Sequence, residues 1–324
     1  MRQLKFIDLF SGIGGFRVAL ENIGAKCVFS SEIDKWAAEV YNTNFKEQPK
    51  GDITKIKSEE IPNHNILCAG FPCQPFSIGG LRKGFEDTRG TLFFDVARIL
   101  SDKQPQAFLL ENVKGIVSHD DGKTLKTIMD TLDEIGYICD YRVMNALDYG
   151  VPQNRERWYC VGFKKNMNIG FNEEFDIQFK FPEKRELELF IEDIIENNVE
   201  GHNITEKASE NIDLFLNNFK NKSTYNKDRY IIANEIRPSR CSFRNNGVFP
   251  CFTAKMGTGG NNVPVIVEKR RKVTVRECLK VMGFPDSFIM KENYNQSYKQ
   301  IGNSVVVSII SMLAEEIKNV LDKI

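Results

Sequence analysis

The sequence predicts a doubly wound α/β sheet followed by a smaller, irregular second domain. Three observations carry this. Strand and helix signals alternate over the first part of the chain. A glycine loop joins the first strand to the first helix. The alternation then stops where positive and negative charge separate along the chain.

The elements follow in order. Lys5 to Phe10 reads as a buried strand, Ser11 to Gly15 as a tight loop, and Phe16 to Ile23 as a helix closed by Gly24. Cys27 to Ser30 is the next strand. Asp34 to Asn44 is a helix, with Trp36, Val40 and Tyr41 at helical spacing. Ile66 to Ala69, counted as the fourth strand, and Ala107 to Leu110, the fifth, are short apolar runs of the kind found in parallel strands buried on both faces. Thr91 to Leu100 and Thr124 to Ile135 supply helices, and Trp158 to Phe163 a late strand. Ser304 to Ile324 closes the chain as an amphipathic helix. No internal repeat is present.

The composition is that of a globular protein. Hydrophobic residues make up 41% and charged residues 27% of 324, which excludes a disordered, collagen-like or disulfide-dense chain. The 44 Lys+Arg cancel 44 Asp+Glu, which taken alone argues against a nucleic-acid partner. The cancellation is not local. Residues 173–213 hold 13 acidic against 4 basic side chains, and residues 220–277 hold 13 basic against 4 acidic. The basic stretch also carries Tyr225, Tyr230, Phe243, Phe249 and Phe252, a mixture suited to a polyanion. Its surface is expected to face that polyanion, with the acidic stretch turned away. Met1 to Gly12 does not read as a signal peptide. The apolar run Val305 to Leu313 falls far short of the ~20 residues of a membrane helix, so a cytoplasmic location is expected. The eight cysteines should then be free thiols. With no CxxC pair and three scattered histidines, no metal site is expected.

Two loops carry the chemistry. Phe10-Ser11-Gly12-Ile13-Gly14-Gly15 opens a helix, where free N–H groups and close backbone approach suit a nucleotide-like ligand. The spacing departs from GxGxxG, which weakens the case for a dinucleotide. Glu32, ending the second strand, can hold ribose hydroxyls, and Asp52 could accept from an adenine amino group. Together they describe an adenosine-bearing cofactor without a diphosphate, which S-adenosyl-L-methionine fits. The second loop, Gly70-Phe71-Pro72-Cys73-Gln74-Pro75-Phe76-Ser77, displays a cysteine directly after a strand, where α/β enzymes place ligands. The stretch Ile78 to Gly90 is glycine-rich and reads as a lid.

With these loops stand Glu111-Asn112-Val113, Gln153-Asn154-Arg155-Glu156-Arg157, Arg276-Glu277-Cys278 and Gly302-Asn303-Ser304-Val305. In this order and spacing the set closely resembles the bacterial DNA (cytosine-5) methyltransferases of restriction-modification systems. The resemblance runs from Phe6 to the last helix and is weakest around residues 165–245. It implies an S-adenosylmethionine-dependent methyltransferase sheet (1–185 plus 303–324), a target-recognition domain (186–274) and a hinge (275–302).

The resemblance also assigns roles. Cys73 would add to C6 of a cytosine flipped out of duplex DNA, Glu111 would face N3, and Arg157, with Arg155 close by, would face O2. Phe10, Ser11, Gly12, Ile13, Gly14, Gly15, Glu32, Ile33, Asp52, Pro72, Asn303 and Ser304 would line the cofactor side, with Ile33 where some members have an aromatic. Ser77, Arg82, Arg89, Arg240, Arg244, Lys255, Thr258 and Gly259 are candidate DNA contacts, and Phe249 to Asn262 is the candidate reading loop. Many members carry Thr-Leu where this chain has Cys251-Phe252. A Cys-Phe-Thr triplet also occurs in the branch that methylates transfer RNA, but that branch has Pro-Pro-Cys where this chain has Phe-Pro-Cys. The implied product is S-adenosyl-L-homocysteine, with no metal. The implied partner is double-stranded DNA, acted on by a monomer with no membrane association. A cognate restriction endonuclease would share the target site but need not bind.

Overall fold

In the computed structural model of the chain, which describes residues 3–72, 92–187, 189–258 and 262–324, the apolar runs pair into a sheet. The chain forms two units. The first comprises Met1–Met144, Glu156–Glu183 and Val307–Ile324; the second comprises Asn145–Arg155 and Lys184–Val306.

The first unit begins β1 (Lys5–Leu9), α1 (Gly15–Asn22), β2 (Lys26–Ser31), α2 (Lys35–Phe45), β3 (Ile66–Gly70), α3 (Leu92–Lys103), β4 (Ala107–Val113), α4 (Lys123–Glu134), β5 (Tyr137–Asn145) and β6 (Glu156–Lys164). A small parallel pair follows, β7 (Ile169–Gly170) and β8 (Ile177–Gln178). The six-stranded sheet runs β2-β1-β3-β4-β6-β5. β1 is parallel to both β2 and β3, and β3 to β4. The strand order reverses between β1 and β3, so their carboxyl ends flank the crevice where such sheets bind ligands. Ile66 to Ala69 and Ala107 to Leu110 are fully buried, because helices cover both faces of a parallel sheet.

Three sequence expectations need correction. Ile66–Gly70 is the third strand and Ala107–Val113 the fourth. Between β2 and β3 the described residues hold no further strand, only a single bridge between Ser31 and Lys50. β6 runs antiparallel to β4, with Val113 opposite Arg157. Only about ten residues separate β5 from β6, too few for the crossover that a parallel connection needs. β5 itself was not read as a strand. Its residues are mostly half-buried, as suits an edge position, and its charged side chains hide the apolar signal.

The helices form where their ends are capped. The carboxylate of Asp34 accepts from the N–H groups of Trp36 and Ala37, starting α2. The last helix, Val307–Leu321, buries Ile309, Ile310, Leu313, Ala314 and Ile317 and packs on α1.

The second unit is less irregular than its sequence reads. It contains α5 (Ile191–Ile194), α6 (Glu206–Lys220), β9 (Ile232–Arg237), β10 (Arg240–Arg244), β11 (Val265–Ile266), β12 (Arg271–Lys272), α7 (Val275–Val281) and α8 (Tyr294–Asn303); the last helix of the chain is α9. The strands make an antiparallel sheet in the order β10-β9-β11-β12. Ala208, Ile212, Leu216 and Phe219 of α6 pack on Ile231, Ala233, Ile236 and Val265. Within this unit the expected separation of acidic and basic faces fails in part. Arg229 pairs with Glu192 at 2.9 Å and Arg270 with Asp213 at 2.6 Å, so the two charge runs neutralise each other at these points.

Candidate active site

The glycine loop leaves β1 through Phe10, whose φ is +56°, and Gly14, whose φ is +94°. A Cβ at Gly14 would lie 2.3 Å from the Phe45 ring, so another residue would have to displace that ring and hold a φ that favours glycine. The loop is tied to β2 by Ser11 N–H donating to the Ser31 carbonyl at 2.9 Å. Glu32 completes the tie. Its Oε2 accepts from Gly12 N–H and its Oε1 from Asp34 N–H, both at 2.7 Å. Burial pushes this carboxyl above the usual range, opposed by those two hydrogen bonds. Each oxygen keeps a second lone pair, so the acid that orders the loop can still accept from ribose hydroxyls.

Around this loop the surroundings fit an adenosine-bearing cofactor. Ile33 is 73% exposed, an uncovered apolar surface beside Glu32. A Cβ at Gly12 would meet nothing within 4 Å. The buried Ser11 Oγ has no protein partner among the described residues. No Lys or Arg lies between Asp8 and Gly15 to receive a diphosphate. Asp52 follows Lys50, whose carbonyl accepts from Glu32 N–H at 3.0 Å, and its own Oδ1 caps a short helical turn by accepting from Thr54 N–H at 3.1 Å and Thr54 Oγ1 at 2.8 Å. These bonds hold its carboxyl below the usual range, while Oδ2 lies 3.7 Å from Lys55 Nζ.

The carboxyl end of β4 brings the reaction candidates together. Glu111 pairs across the sheet with Tyr159, and Arg157 lies two residues away on the same face of β6. Arg157 Nε is 3.2 Å from Glu111 Oε1, and their side chains are only 13% and 11% exposed. The antiparallel reversal of β6 is what places the start of that strand beside the end of β4. On the opposite face, buried Asn112 donates from Nδ2 to the Phe71 carbonyl at 2.9 Å. Phe71 packs on Phe93 and Trp158, so the segment entering Pro72 is held on both sides.

Arg155 lies in the second unit. Its guanidinium donates to the carbonyls of Phe252 at 2.7 Å, Gly302 at 3.2 Å and Ser304 at 2.5 Å, with the residue 2% exposed. The Gln-Asn-Arg-Glu-Arg motif therefore divides between Arg155 and Glu156, one arginine in each unit. Asn303 is exposed and Ser304 buried, both in the second unit.

Residues 4–319 match the family described as C-5 cytosine-specific DNA methylase. The chain belongs to that family.

This methylase is 44% identical to the Type II methyltransferase M.HhaI of Haemophilus parahaemolyticus, over 98% of this chain and 95% of that protein. It is 41% identical to M.HaeII of Haemophilus aegyptius, over 99% and 95%. Among solved structures, a putative DNA modification methyltransferase encoded within an E. coli prophage superposes with a TM-score of 0.72 at 23% identity, covering 99% of this chain and 100% of that one. A Spodoptera frugiperda DNMT2 mutant superposes with a TM-score of 0.71 at 24% identity, covering 98% and 100%. At these identities the two structures speak to the fold alone.

Of the methylase residues expected from sequence, Glu111 and Arg157 meet, and Phe10 to Gly15 gather with Glu32. Cys73, Ser77, Arg82, Arg89 and Gly259 lie outside the described residues. Arg240 is paired with Glu235 at 3.2 Å on the surface. Arg244 is half-buried with no carboxylate partner among the described residues, and burial lowers its pKa. Lys255 is exposed. The Thr258 hydroxyl is used inside its own loop, donating to the Lys255 carbonyl and accepting from Asn262 Nδ2. The sequence reading assigned no role to Asn112 or Gln153. Their only signal was position inside motifs already quoted. Of the other thiols, burial raises Cys27 to about 12, Cys241 to about 11, and Cys68, Cys160 and Cys278 far above the usual range, which leaves them poor nucleophiles. No helix among the described residues is long and apolar enough to cross a membrane.

Proposed function

We propose that this methylase transfers a methyl group from S-adenosyl-L-methionine to C5 of a specific cytosine in duplex DNA, as the protective partner of a Type II restriction-modification system. The observation that carries the reading is the Glu111–Arg157 pair at the carboxyl end of β4, where Glu111 lies opposite Gly70 at the end of β3.

Cytosine C5 is a poor nucleophile until the ring is activated. The Cys73 thiolate forms a bond to C6, and the C5=C6 electron pair becomes available at C5, with charge also reaching N3 and O2. The Glu111 carboxyl meets N3 as a proton donor, and the Arg157 guanidinium donates to O2. The pair suits this work because each side chain holds the other in place before the base arrives. When bound, S-adenosyl-L-methionine would supply the sulfonium methyl group that goes to C5 and would depart as S-adenosyl-L-homocysteine. A base, water being sufficient, then removes the C5 proton, the C5=C6 bond re-forms, and Cys73 leaves as thiolate. A stacked cytosine cannot reach these groups, so the base is flipped at a cost of roughly a few kcal/mol. The glycine loop with Glu32 and Ile33 holds the adenosine. The segment 186–274 recognises the target, with the exposed Lys255 and the half-buried Arg244 offering cations to phosphates.

Incubation with methyl-labelled S-adenosylmethionine and bacterial DNA tests the reading. Label is expected in 5-methylcytosine and absent with Cys73→Ser. Label in transfer RNA in preference to duplex DNA, or undiminished transfer by Cys73→Ser, overturns it. Bisulfite sequencing of host DNA with and without the gene then gives the recognition sequence.

A further inference from the structure

We infer that Arg155 acts as a positioning residue for DNA recognition, holding the reading segment that begins at Phe252, and does not touch the target cytosine. The inference deepens the proposed function and rests on its reading of residues 249–262 as the DNA-reading loop.

Every observation for it lies within the second unit. Arg155 is enclosed, and its two terminal guanidinium nitrogens donate to three backbone carbonyls from two separate segments, those of Phe252, Gly302 and Ser304. Charge-assisted bonds of this kind are stronger than neutral ones, and a planar fork fixes their directions. The same peptide is gripped from its other side: fully buried Gln153 accepts from Phe252 N–H at 3.1 Å, while its Nε2 contacts Met282 Sδ at 3.3 Å. Phe252 is thus held at its N–H by one motif residue and at its carbonyl by another two positions on.

The base of this clamp is itself fixed. Arg155 N–H donates to Asn145 Oδ1 at 3.0 Å, Ala146 N–H donates to the Arg155 carbonyl at 2.9 Å, and Phe249 and Pro152 are joined through backbone at 2.8 Å. The two segments that Arg155 bridges also touch directly. A Cβ at Gly302 would lie 2.2 Å from the Thr253 carbonyl carbon, so glycine alone permits the approach. Immediately after the clamped Phe252 the chain turns outward: Thr253, Lys255 and Thr258 are exposed. A buried clamp followed at once by exposed polar side chains is an arrangement that sets where those side chains stand. Arg157, in the first unit beside Glu111, has no share in it.

The two arginines therefore separate in kinetics on bacterial genomic DNA. Arg155→Lys keeps the charge but loses the fork. It is expected to raise KM for DNA by about tenfold or more, with kcat changed by less than about threefold. It should also spread methylation, read by bisulfite sequencing, to cytosines that the natural protein leaves alone. Arg157→Lys is expected to lower kcat by about a hundredfold at unchanged site choice. A fall in kcat for Arg155→Lys with KM and methylated sites unchanged would place Arg155 on the cytosine and overturn the inference; so would no change in any of them. Binding of S-adenosyl-L-homocysteine by calorimetry reports whether the variant is folded. If it is not, Gln153→Met, which releases Phe252 N–H from the same clamp, is expected to give the same rise in KM, and an unchanged KM there overturns the inference. Failure of the underlying reading looks different, because the unsubstituted protein would then transfer no methyl group to DNA.

Discussion

Arg157 Nε lies 3.2 Å from Glu111 Oε1, and the two side chains share one face of neighbouring antiparallel strands. The contact is nearly enclosed, so each group orders the other in an environment where an unpaired charge is expensive. Arg157→Ala should therefore cost more than a surface substitution. We expect transition-state stabilisation to fall by about 3 kcal/mol, the loss typical of one oxyanion-type donor, with S-adenosyl-L-homocysteine binding retained. Single-turnover methyl transfer checks this; a rate within about threefold of the original would remove Arg157 from the chemistry.

Asn112 pins the carbonyl of Phe71, one residue before Pro72. Asn112→Ala leaves that buried carbonyl without its donor, which costs about 1–3 kcal/mol. Urea unfolding is expected to shift by that amount, and kcat to fall while KM for S-adenosylmethionine stays unchanged. A stability loss with kcat intact would show that the bond serves only the fold.

Glu32 orders the glycine loop through Gly12 and Asp34. Glu32→Ala removes the acceptor for two N–H groups, and weaker cofactor binding should follow, by about tenfold or more. Calorimetric titration with S-adenosyl-L-homocysteine reads the effect. Unchanged affinity would mean that the loop holds its shape without the acid.

Asp8 is fully buried in β1, and neither of its carboxylate oxygens has a hydrogen-bond partner among the described residues. Burial raises its pKa well above the usual range; Glu32 adds to the rise, while the Arg17 charge opposes it. The folded protein thus keeps a proton that the unfolded chain gives up as pH rises past the ordinary carboxylate value. Its contribution to stability is full in acid and is lost with rising pH. Asp8→Asn is neutral in both states, so its melting temperature relative to the unsubstituted protein should improve between pH 4.5 and pH 7.5. A pH-independent difference would mean that Asp8 titrates alike folded and unfolded.

Much was legible before any coordinates. The strand, loop and helix from Lys5 to Asn22 followed from an apolar run, glycines and helical spacing. The fully buried β3 and β4 followed from continuous apolar runs. These are local signals, and local physics produces them. The sheet in the second unit was not legible, because two of its strands have only two residues each and are joined to the rest only through the pairing of β11 with β9, about thirty residues earlier in the chain. The charge runs misled for the same reason. Residue counts along a chain say nothing of which carboxylate a folded arginine will meet, and Arg229 and Arg270 meet acids from the opposing run.

The sequence by itself determined the family, the two chemical loops and the acid and arginine that accompany them, because those residue types in that order are what the chemistry demands. Only the tertiary structure decided how the two arginines of one motif are used. They stand two residues apart on a chain whose side chains alternate in direction only while it remains a strand. Arg157 is inside β6 and faces Glu111, whereas Arg155 precedes the strand and is buried against three backbone carbonyls. Spacing cannot distinguish these fates, because each depends on which distant backbone is packed against the guanidinium.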